Sequence, residues 1–240
     1  MTSTHLKYKR ILLKLSGEAL MGDKSFGIDP EVIKAIAIEL VQLQQAGLEI
    51  GIVIGGGNIF RGQGLANAGI DRTRADQMGM LATVMNSLAM QDACIKQGAE
   101  CQVLSALSLD QACETYSASR ARNHLAKGRI VIMAAGSGNP YFTTDTAASL
   151  RALEIYADLL LKGTKVDGVY DKDPAKFADA KRYDSLSYHE AIAKELGVMD
   201  LTALVLCRDN AMPMQVYNLF EADKLSSIVN GDTSGTKLEV

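Results

Sequence analysis

The sequence predicts an α/β fold, one domain over residues 1–240, in which a mostly parallel sheet is covered by helices on both faces. Three observations predict it. Short β-rich apolar runs recur at residues 10–15, 49–54, 101–104, 129–134, 157–161 and 214–219. Helical patterns separate most of them, and strand-helix-strand alternation calls for crossover connections, which join parallel neighbours. The 240 residues are 48% hydrophobic and 22% charged with only four prolines, and neither a repeat nor a low-complexity stretch divides them, as suits one compact core.

The first run ends in Lys14-Leu15 and passes into Ser16-Gly17-Glu18, so a cation stands beside a glycine at a strand end. Asp29 is a helix N-cap with Pro30 at the first helical position. Ile33, Ile36, Leu40 and Leu43 follow at helical spacing, and Gly47 stops the helix. The run 49–54 leads into Gly55-Gly56-Gly57-Asn58, then Arg61 and Gly62. Three glycines in series read as an anion-binding turn: backbone at positive φ can approach a ligand closely and present consecutive N–H groups, with Arg61 closing on a phosphate.

Residues 74–97 form a long helix. Its Met78, Met80, Leu81, Val84, Met85, Leu88, Met90 and Cys94 exceed one stripe, so it needs cover on several sides, from sheet and helices or from another subunit. An oligomer is the favoured reading. After the run 129–134, Ala135 to Asp145 gathers hydroxyls, an amide and a carboxylate ahead of a helix through Leu150 and Leu153, which Thr144 or Asp145 would cap. After the run 157–161, Lys162 to Pro174 alternates turn residues with charges. That stretch is either a solvated hairpin or a site where the Tyr170 ring packs on a planar base and Asp173 accepts hydrogen bonds from sugar hydroxyls or base nitrogens. In an open parallel sheet ligands bind at the carboxyl ends of strands, and these four loops share that address.

Several function classes are excluded. A net charge of −3 argues against an extended nucleic-acid partner. Cys94, Cys101, Cys113 and Cys207 lack C-x-x-C spacing and nearby histidines, so they read as buried, reduced thiols and not as a zinc or redox motif. Lys14 interrupts the first apolar run long before a signal segment or membrane span is complete, so a cytoplasmic protein is expected. No G-x-x-x-x-G-K-[ST] occurs, and Gly62-Gln63-Gly64 and Gly136-Ser137-Gly138 both lack the third glycine of a dinucleotide fingerprint. His5, His124 and His189 sit apart and form no triad.

Taken together, Lys14-Leu15-Ser16-Gly17-Glu18-Ala19-Leu20, Gly55-Gly56-Gly57-Asn58 through Arg61-Gly62, Gly136 to Asp145 and Thr164 to Tyr170 resemble the bacterial uridylate kinases of the amino acid kinase fold. The resemblance spans nearly the whole chain. It implies a three-layer αβα sandwich, assembled as a homohexamer, that transfers a phosphoryl group from Mg-ATP to UMP in pyrimidine nucleotide biosynthesis. It implies Lys14, Arg61 and Asp145 as catalytic residues, with Asp145 organising the catalytic cations or metal-bound phosphates. Lys14, Leu15, Ser16, Gly17, Gly57 and Arg61 would meet the ATP phosphates, and Thr164, Tyr170 and Asp173 would hold adenosine. Gly56 would lie at the UMP phosphate and Asp76 at its ribose. Ser137, Gly138, Asn139, Pro140, Tyr141, Phe142, Thr143 and Thr144 would line the uridylate pocket. Gly22, Asp23, Lys24, Ser25, Phe26 and Gly27 match the region the family uses for activation by GTP, and UTP would inhibit.

The chemistry agrees. Phosphoryl transfer needs in-line positioning and charge neutralisation more than a strong base, so lysine, arginine, backbone N–H groups and Mg²⁺ suffice, with no metal ligand required of the side chains. Lys165 could equally be a second phosphate cation or a solvated loop lysine. Ser137 stands where threonine is common in the family and Tyr141 where phenylalanine is common; the hydroxyl and the ring are kept. The competing readings are a same-fold enzyme phosphorylating a carboxylate or carbamate, and a nucleotide-sensing module without turnover. Retention of both Lys14 and Asp145 disfavours the sensor, which needs no transition-state clamp.

Overall fold

Ile11, Leu12, Leu13 and Leu15 are all fully buried, so the first strand must lie in the middle of a sheet with both faces covered. The computed structural model describes residues 6–60 and 69–240. The readings made on His5, on the first residues of the N-terminus, and on Arg61, Gly62 and the Gly62-Gln63-Gly64 triplet lie outside them. Among the described residues the chain runs β1 (Arg10–Leu15), a 3-10 turn (Gly17–Met21), α1 (Pro30–Gln45), β2 (Glu49–Ile54), α2 (Arg72–Lys96), β3 (Cys101–Ser105), β4 (Glu114–Thr115), α3 (Ala118–Ala126), β5 (Ile130–Ala134) and α4 (Thr144–Glu154). It continues through β6 (Leu159–Thr164), β7 (Val169–Tyr170), β8 (Arg182–Tyr183), β9 (Ser185–Ser187), α5 (Tyr188–Ala193), α6 (Leu201–Asp209), β10 (Met214–Asn218), α7 (Lys224–Val229) and β11 (Thr236–Glu239).

Nine strands form one sheet in the order β4-β3-β5-β2-β1-β6-β10-β11-β9, with β7 and β8 pairing separately. Every neighbouring pair in the large sheet is parallel except β10 with β11. Alternation along each strand feeds two cores. Ile11, Leu13, Ile50, Ile52, Leu159 and Leu161 join α1, α2 and α7 on one face. Leu12, Val53, Met133 and Leu160 join α3, α4, α5 and α6 on the other. The result is a three-layer αβα sandwich, as the sequence predicts.

Local chemistry sets the helix ends. The Asp29 side chain accepts from the N–H groups of Glu31 and Val32, Pro30 opens α1, and Gly47 at φ 98° ends it. Ile33, Ile36, Leu40 and Leu43 are all buried along its inner face. The long helix starts two residues earlier than its apolar pattern suggests, because Asp71 accepts from the Arg74 N–H. Its apolar surplus divides: Met80, Val84, Met90 and Cys94 are buried, whereas Met78, Leu81 and Met85 are 42%, 46% and 56% exposed. All four cysteines are free and buried. Lys162 to Thr164 belong to β6 and not to a loop, because β10 continues to pair with them up to Asn218 opposite Thr164.

Leu40 has no exposed surface and packs in the α1-side core. We expect Leu40→Ala to cost about 2 to 5 kcal/mol, lowering Tm by roughly 2 to 4 °C per kcal/mol in a thermal melt. A variant that melts with its parent would mean that α1 does not close this face of the sheet.

Candidate active site

Parallel pairing of β1 with β6 sets Lys14 directly opposite Lys162. Neighbours in register point to the same side of the sheet, so two ammonium groups are brought together on the face that α4 covers. Asp145, in the first turn of α4, stands between them. Its Oδ1 lies 2.7 Å from Lys14 Nζ, an ion pair and not a directed hydrogen bond. Its Oδ2 accepts from Lys162 Nζ at 3.0 Å. Lys162 also donates to the Val198 carbonyl. Burial alone would raise the Asp145 pKa, but the two ammonium groups outweigh it and hold the carboxyl below its ordinary value. Burial is the largest influence on Lys162 as well, and it lowers that pKa against the pull of Asp145. The cluster carries two positive charges and one negative at the positive end of the α4 dipole, and is built to receive an anion.

The glycine turn meets the cluster from β2. None of Gly55, Gly56 or Gly57 has positive φ, which corrects the expectation from the sequence. Close approach of backbones is the reason for glycine here. A Cβ on Gly17 would fall 2.5 Å from both Asn58 Oδ1 and the Gly55 carbonyl, and one on Gly56 would fall 2.8 Å from the Gly79 carbonyl. The amide of the motif faces inward: Asn58 Nδ2 donates to Asn86 Oδ1 and to the Gly27 carbonyl, each at 2.9 Å. Asn86 Nδ2 returns a bond to Asn58 Oδ1 and holds the Gly55 carbonyl, both at 2.7 Å. Ser16 precedes the 3-10 turn without a side-chain cap bond. The side chain of Leu15 is wholly in the core, so that residue can offer a ligand only its backbone.

Two cavities flank the cluster. One, of about 650 Å³, is lined by Gly56, Gly57, Asp76, Gly136, Ser137, Phe142, Thr143 and Thr144. Asp76 is held at its rim by Arg72, whose Nε lies 2.9 Å from each carboxylate oxygen, and by the Tyr141 N–H at 2.8 Å. Four residues expected on this wall lie off it: Gly138 turns at φ 82° onto Ala106, Pro140 is half-buried, and Asn139 and Tyr141 face solvent. The chain leaves β5 by consecutive positive-φ residues, Ala135 and Gly136, and this carries the middle of the loop away from the wall. Thr143, and not Thr144 or Asp145, caps α4, because its extended backbone lets its hydroxyl accept from the N–H groups of Asp145 and Thr146. The same hydroxyl donates to Asp200.

The second cavity, of about 420 Å³, is lined by Thr164, Tyr170 and Asp173 together with Lys162, Lys194 and Val198. The Tyr170 hydroxyl donates to Asp167 Oδ1 at 2.5 Å, which fixes the ring. Tyr170 sits in β7, paired with Arg182 of β8, so the hairpin supplies part of the wall of this cavity. Thr164 Oγ1 bonds both ways with Val166, and Asp173 Oδ1 accepts from the Ala175 N–H at 3.0 Å. Lys165 is exposed and outside both cavities. His124 is engaged by Arg129 and Glu114, and His189 is exposed. The stretch Gly22 to Gly27 is joined to the glycine turn by Asn58; Gly22 and Gly27 take positive φ, Lys24 pairs with Asp29 at 3.2 Å, and Phe26 is exposed.

Sequence reasoning missed Lys162 and Asp200. A lysine ending an apolar run was the visible trace of the first, but its partner is set by strand register. Asp200 accepts from both Thr143 and Thr146 and caps α6 through the Ala203 N–H, so it ties two helix starts together. Its place before the largely apolar run 201–206 marks it as a helix N-cap, but nothing local marks its bonds to Thr143 and Thr146.

The amino acid kinase family model matches residues 9–218 of the chain. The chain belongs to the amino acid kinase family. Relatives within it include a uridylate kinase of Xanthomonas oryzae pv. oryzae, 57% identical over 98% of this chain and 98% of the relative. A uridylate kinase of Methylococcus capsulatus is 58% identical over 96% and 97%. Among solved members, the UMP kinase from Bacillus anthracis superposes with a TM-score of 0.93 at 38% identity, covering 97% of this chain and 96% of that one. The UMP kinase from Ureaplasma parvum follows at 0.91 and 34%, covering 98% and 100%. The family match runs from the residue before β1 to the end of β10, so it takes in all four loops of the site.

The lowered Asp145 pKa has a definite consequence for acid stability. A carboxyl whose pKa is lower in the folded than in the unfolded chain adds stability that is complete above its unfolded value, near pH 4, and is lost as pH falls through the folded value. In urea unfolding as a function of pH, Asp145→Asn should therefore be less stable than its parent by a constant margin above pH 5 that shrinks below about pH 4. A margin independent of pH over this range would assign the loss to packing and not to charge.

Proposed function

We propose that the chain, acting as one domain, transfers the γ-phosphoryl group of ATP to UMP, giving ADP and UDP. The observation that carries this reading is the Lys14–Asp145–Lys162 cluster, with Lys162 also lining the second of the two cavities that flank it. Adenosine would occupy the cavity with Tyr170, Thr164 and Asp173, its ring against Tyr170. UMP would occupy the other, its phosphate at Gly56, its ribose at Asp76, and its base against the wall formed by Ser137, Phe142, Thr143 and Thr144. The triphosphate would reach across Lys14, Ser16, Gly17 and Gly57, with Arg61 joining it. The bond from the γ-phosphorus to the β,γ-bridging oxygen breaks as one forms to a phosphate oxygen of UMP. That acceptor oxygen is already anionic, so no general base is needed, and the protein's task is alignment and charge neutralisation. Asp145 serves by fixing both ammonium groups where negative charge shifts.

Mg²⁺ fits this scheme as an ion carried by the nucleotide. Among the described residues no cluster of three or more His, Cys, Asp or Glu could hold a metal, and Asp145 already answers two cations, so the phosphates would supply most of its ligands. The ion would neutralise phosphate charge. Exposed Met78, Leu81 and Met85 follow one another at helical spacing on α2 and support assembly through that face, as a homohexamer. GTP would act as activator through residues 22–27, which Asn58 ties to the glycine turn by its bonds with Gly27, and UTP would inhibit. Free, buried cysteines suit a cytoplasmic setting, and no helix among the described residues is long and apolar enough to cross a membrane.

Lys14→Ala should lower kcat by on the order of 10²-fold or more, the scale of removing one preorganised electrostatic stabiliser, with a smaller change in KM for UMP. A coupled ADP-release assay with UMP, CMP, dUMP and carbamate checks the substrate. UMP should be strongly preferred, because cytosine reverses the donor and acceptor that uracil presents and each mismatched buried group costs about 1 to 3 kcal/mol. Comparable kcat/KM for CMP and UMP would sink the uridylate assignment. For assembly, Leu81→Glu should yield smaller species by light scattering, and a variant of unchanged mass would remove the α2 face from the interface.

A further inference from the structure

Six residues beyond Asp145, α4 carries a guanidinium that the phosphoryl-transfer cluster does not use. Arg151 is only 4% exposed. Its Nη1 donates to Glu154 Oε2 at 2.6 Å and its Nη2 to the Gly136 carbonyl at 2.9 Å. Its plane lies over the Tyr116 ring, 3.8 Å from the centroid. The Tyr116 hydroxyl donates to the same Glu154 oxygen at 2.5 Å, and burial pushes that hydroxyl's pKa up, so it stays a donor. A charge this deeply buried is costly unless oriented hydrogen bonds satisfy it. Here one of its bonds goes to a loop carbonyl and not to a second carboxylate, and the buried Nε has no hydrogen-bond partner among the described residues.

That carbonyl belongs to the hinge where the chain leaves β5. Ala135 and Gly136 are consecutive residues at φ 62° and 60°, and alanine holds such a conformation only where its surroundings impose it. From the α2 side, Thr83 Oγ1 accepts from the Ala135 N–H at 2.8 Å. From the α4 side, Arg151 takes the next carbonyl. Gly136 and Ser137, immediately beyond, line the 650 Å³ cavity. The direction in which the loop enters the cavity wall is therefore set by two side chains, Thr83, which lines the cavity, and Arg151, which does not.

We infer that Arg151 is a positioning residue for the nucleoside monophosphate: it holds the hinge at residues 135–136, and through it the wall at Ser137, without touching substrate. The inference rests on the reading of this cavity as the UMP pocket. The planar fork is the working feature, because it spans Glu154 and Gly136 at a fixed angle while one face stacks on Tyr116. A lysine is a point charge on a flexible stem and reaches one of those oxygens at a time.

The test is steady-state kinetics and thermal melting of the full chain and of Arg151→Met, Arg151→Lys and Glu154→Gln. KM for UMP should rise on the order of 10-fold in Arg151→Met, with KM for ATP within about two-fold of the parent. Arg151→Lys should recover only part of the loss. Glu154→Gln, which keeps the guanidinium but weakens its anchor, should move the same parameter by less. If Arg151→Met fails to fold, Arg151→Lys and Glu154→Gln carry the comparison. Variants that melt lower but keep the parent's KM for UMP would overturn the positioning role and leave Arg151 a structural residue. Full recovery by lysine would overturn the fork argument. A parent chain that does not turn over UMP would instead refute the proposed function, and the inference with it.

Discussion

The rest of the site depends on one pairing, that of β1 with β6 as parallel neighbours in a register that sets Lys14 opposite Lys162. Two ammonium groups at adjacent positions repel, and each is largely buried, so the arrangement stands only because Asp145 enters between them from the start of α4. The register thus dictates where α4 must begin. Thr143 caps the helix at that point and Asp200 holds the cap from α6, which brings a second helix start to the same place. A one-residue slip of either strand would turn one lysine to the opposite face of the sheet.

Around this centre the loops are held by buried polar side chains more than by apolar contact. Asn58 and Asn86 exchange amide bonds and together fix the glycine turn and the Gly27 carbonyl. Thr83 and Arg151 fix the hinge after β5. Asp76 joins α2 to the Tyr141 backbone. The buried bonds among them resist displacement because each departure leaves a donor or acceptor unpaired at low dielectric. Phosphoryl transfer asks for that rigidity, since its transition state is stabilised by groups that are already in place when charge moves.

The glycines do two different jobs. Gly136 and Gly138 take positive φ and shape the path of the loop, whereas Gly17 and Gly56 are glycines because another backbone, or a packed side chain, occupies the space a Cβ would need. Both uses leave the same letter in the sequence, and only the second brings the ends of β1 and β2 close enough for one anion to meet both.

The sequence by itself determined the α/β class, the parallel sheet, both ends of α1, and the strand-end stretches from which the candidate site is built, because each depends on local periodicity, capping and glycine content. Its motifs were also enough to point to the family. Only the tertiary structure decided that Lys162 meets Asp145 and that Asp200 meets Thr143 and Thr146, that Asn58 faces inward, that Thr143 is the cap of α4, and that Gly138 and Tyr141 sit off the cavity wall. These depend on strand register and on contacts between residues far apart in the chain, as between Lys14 and Lys162 or Thr143 and Asp200, and no local pattern encodes a partner at that distance.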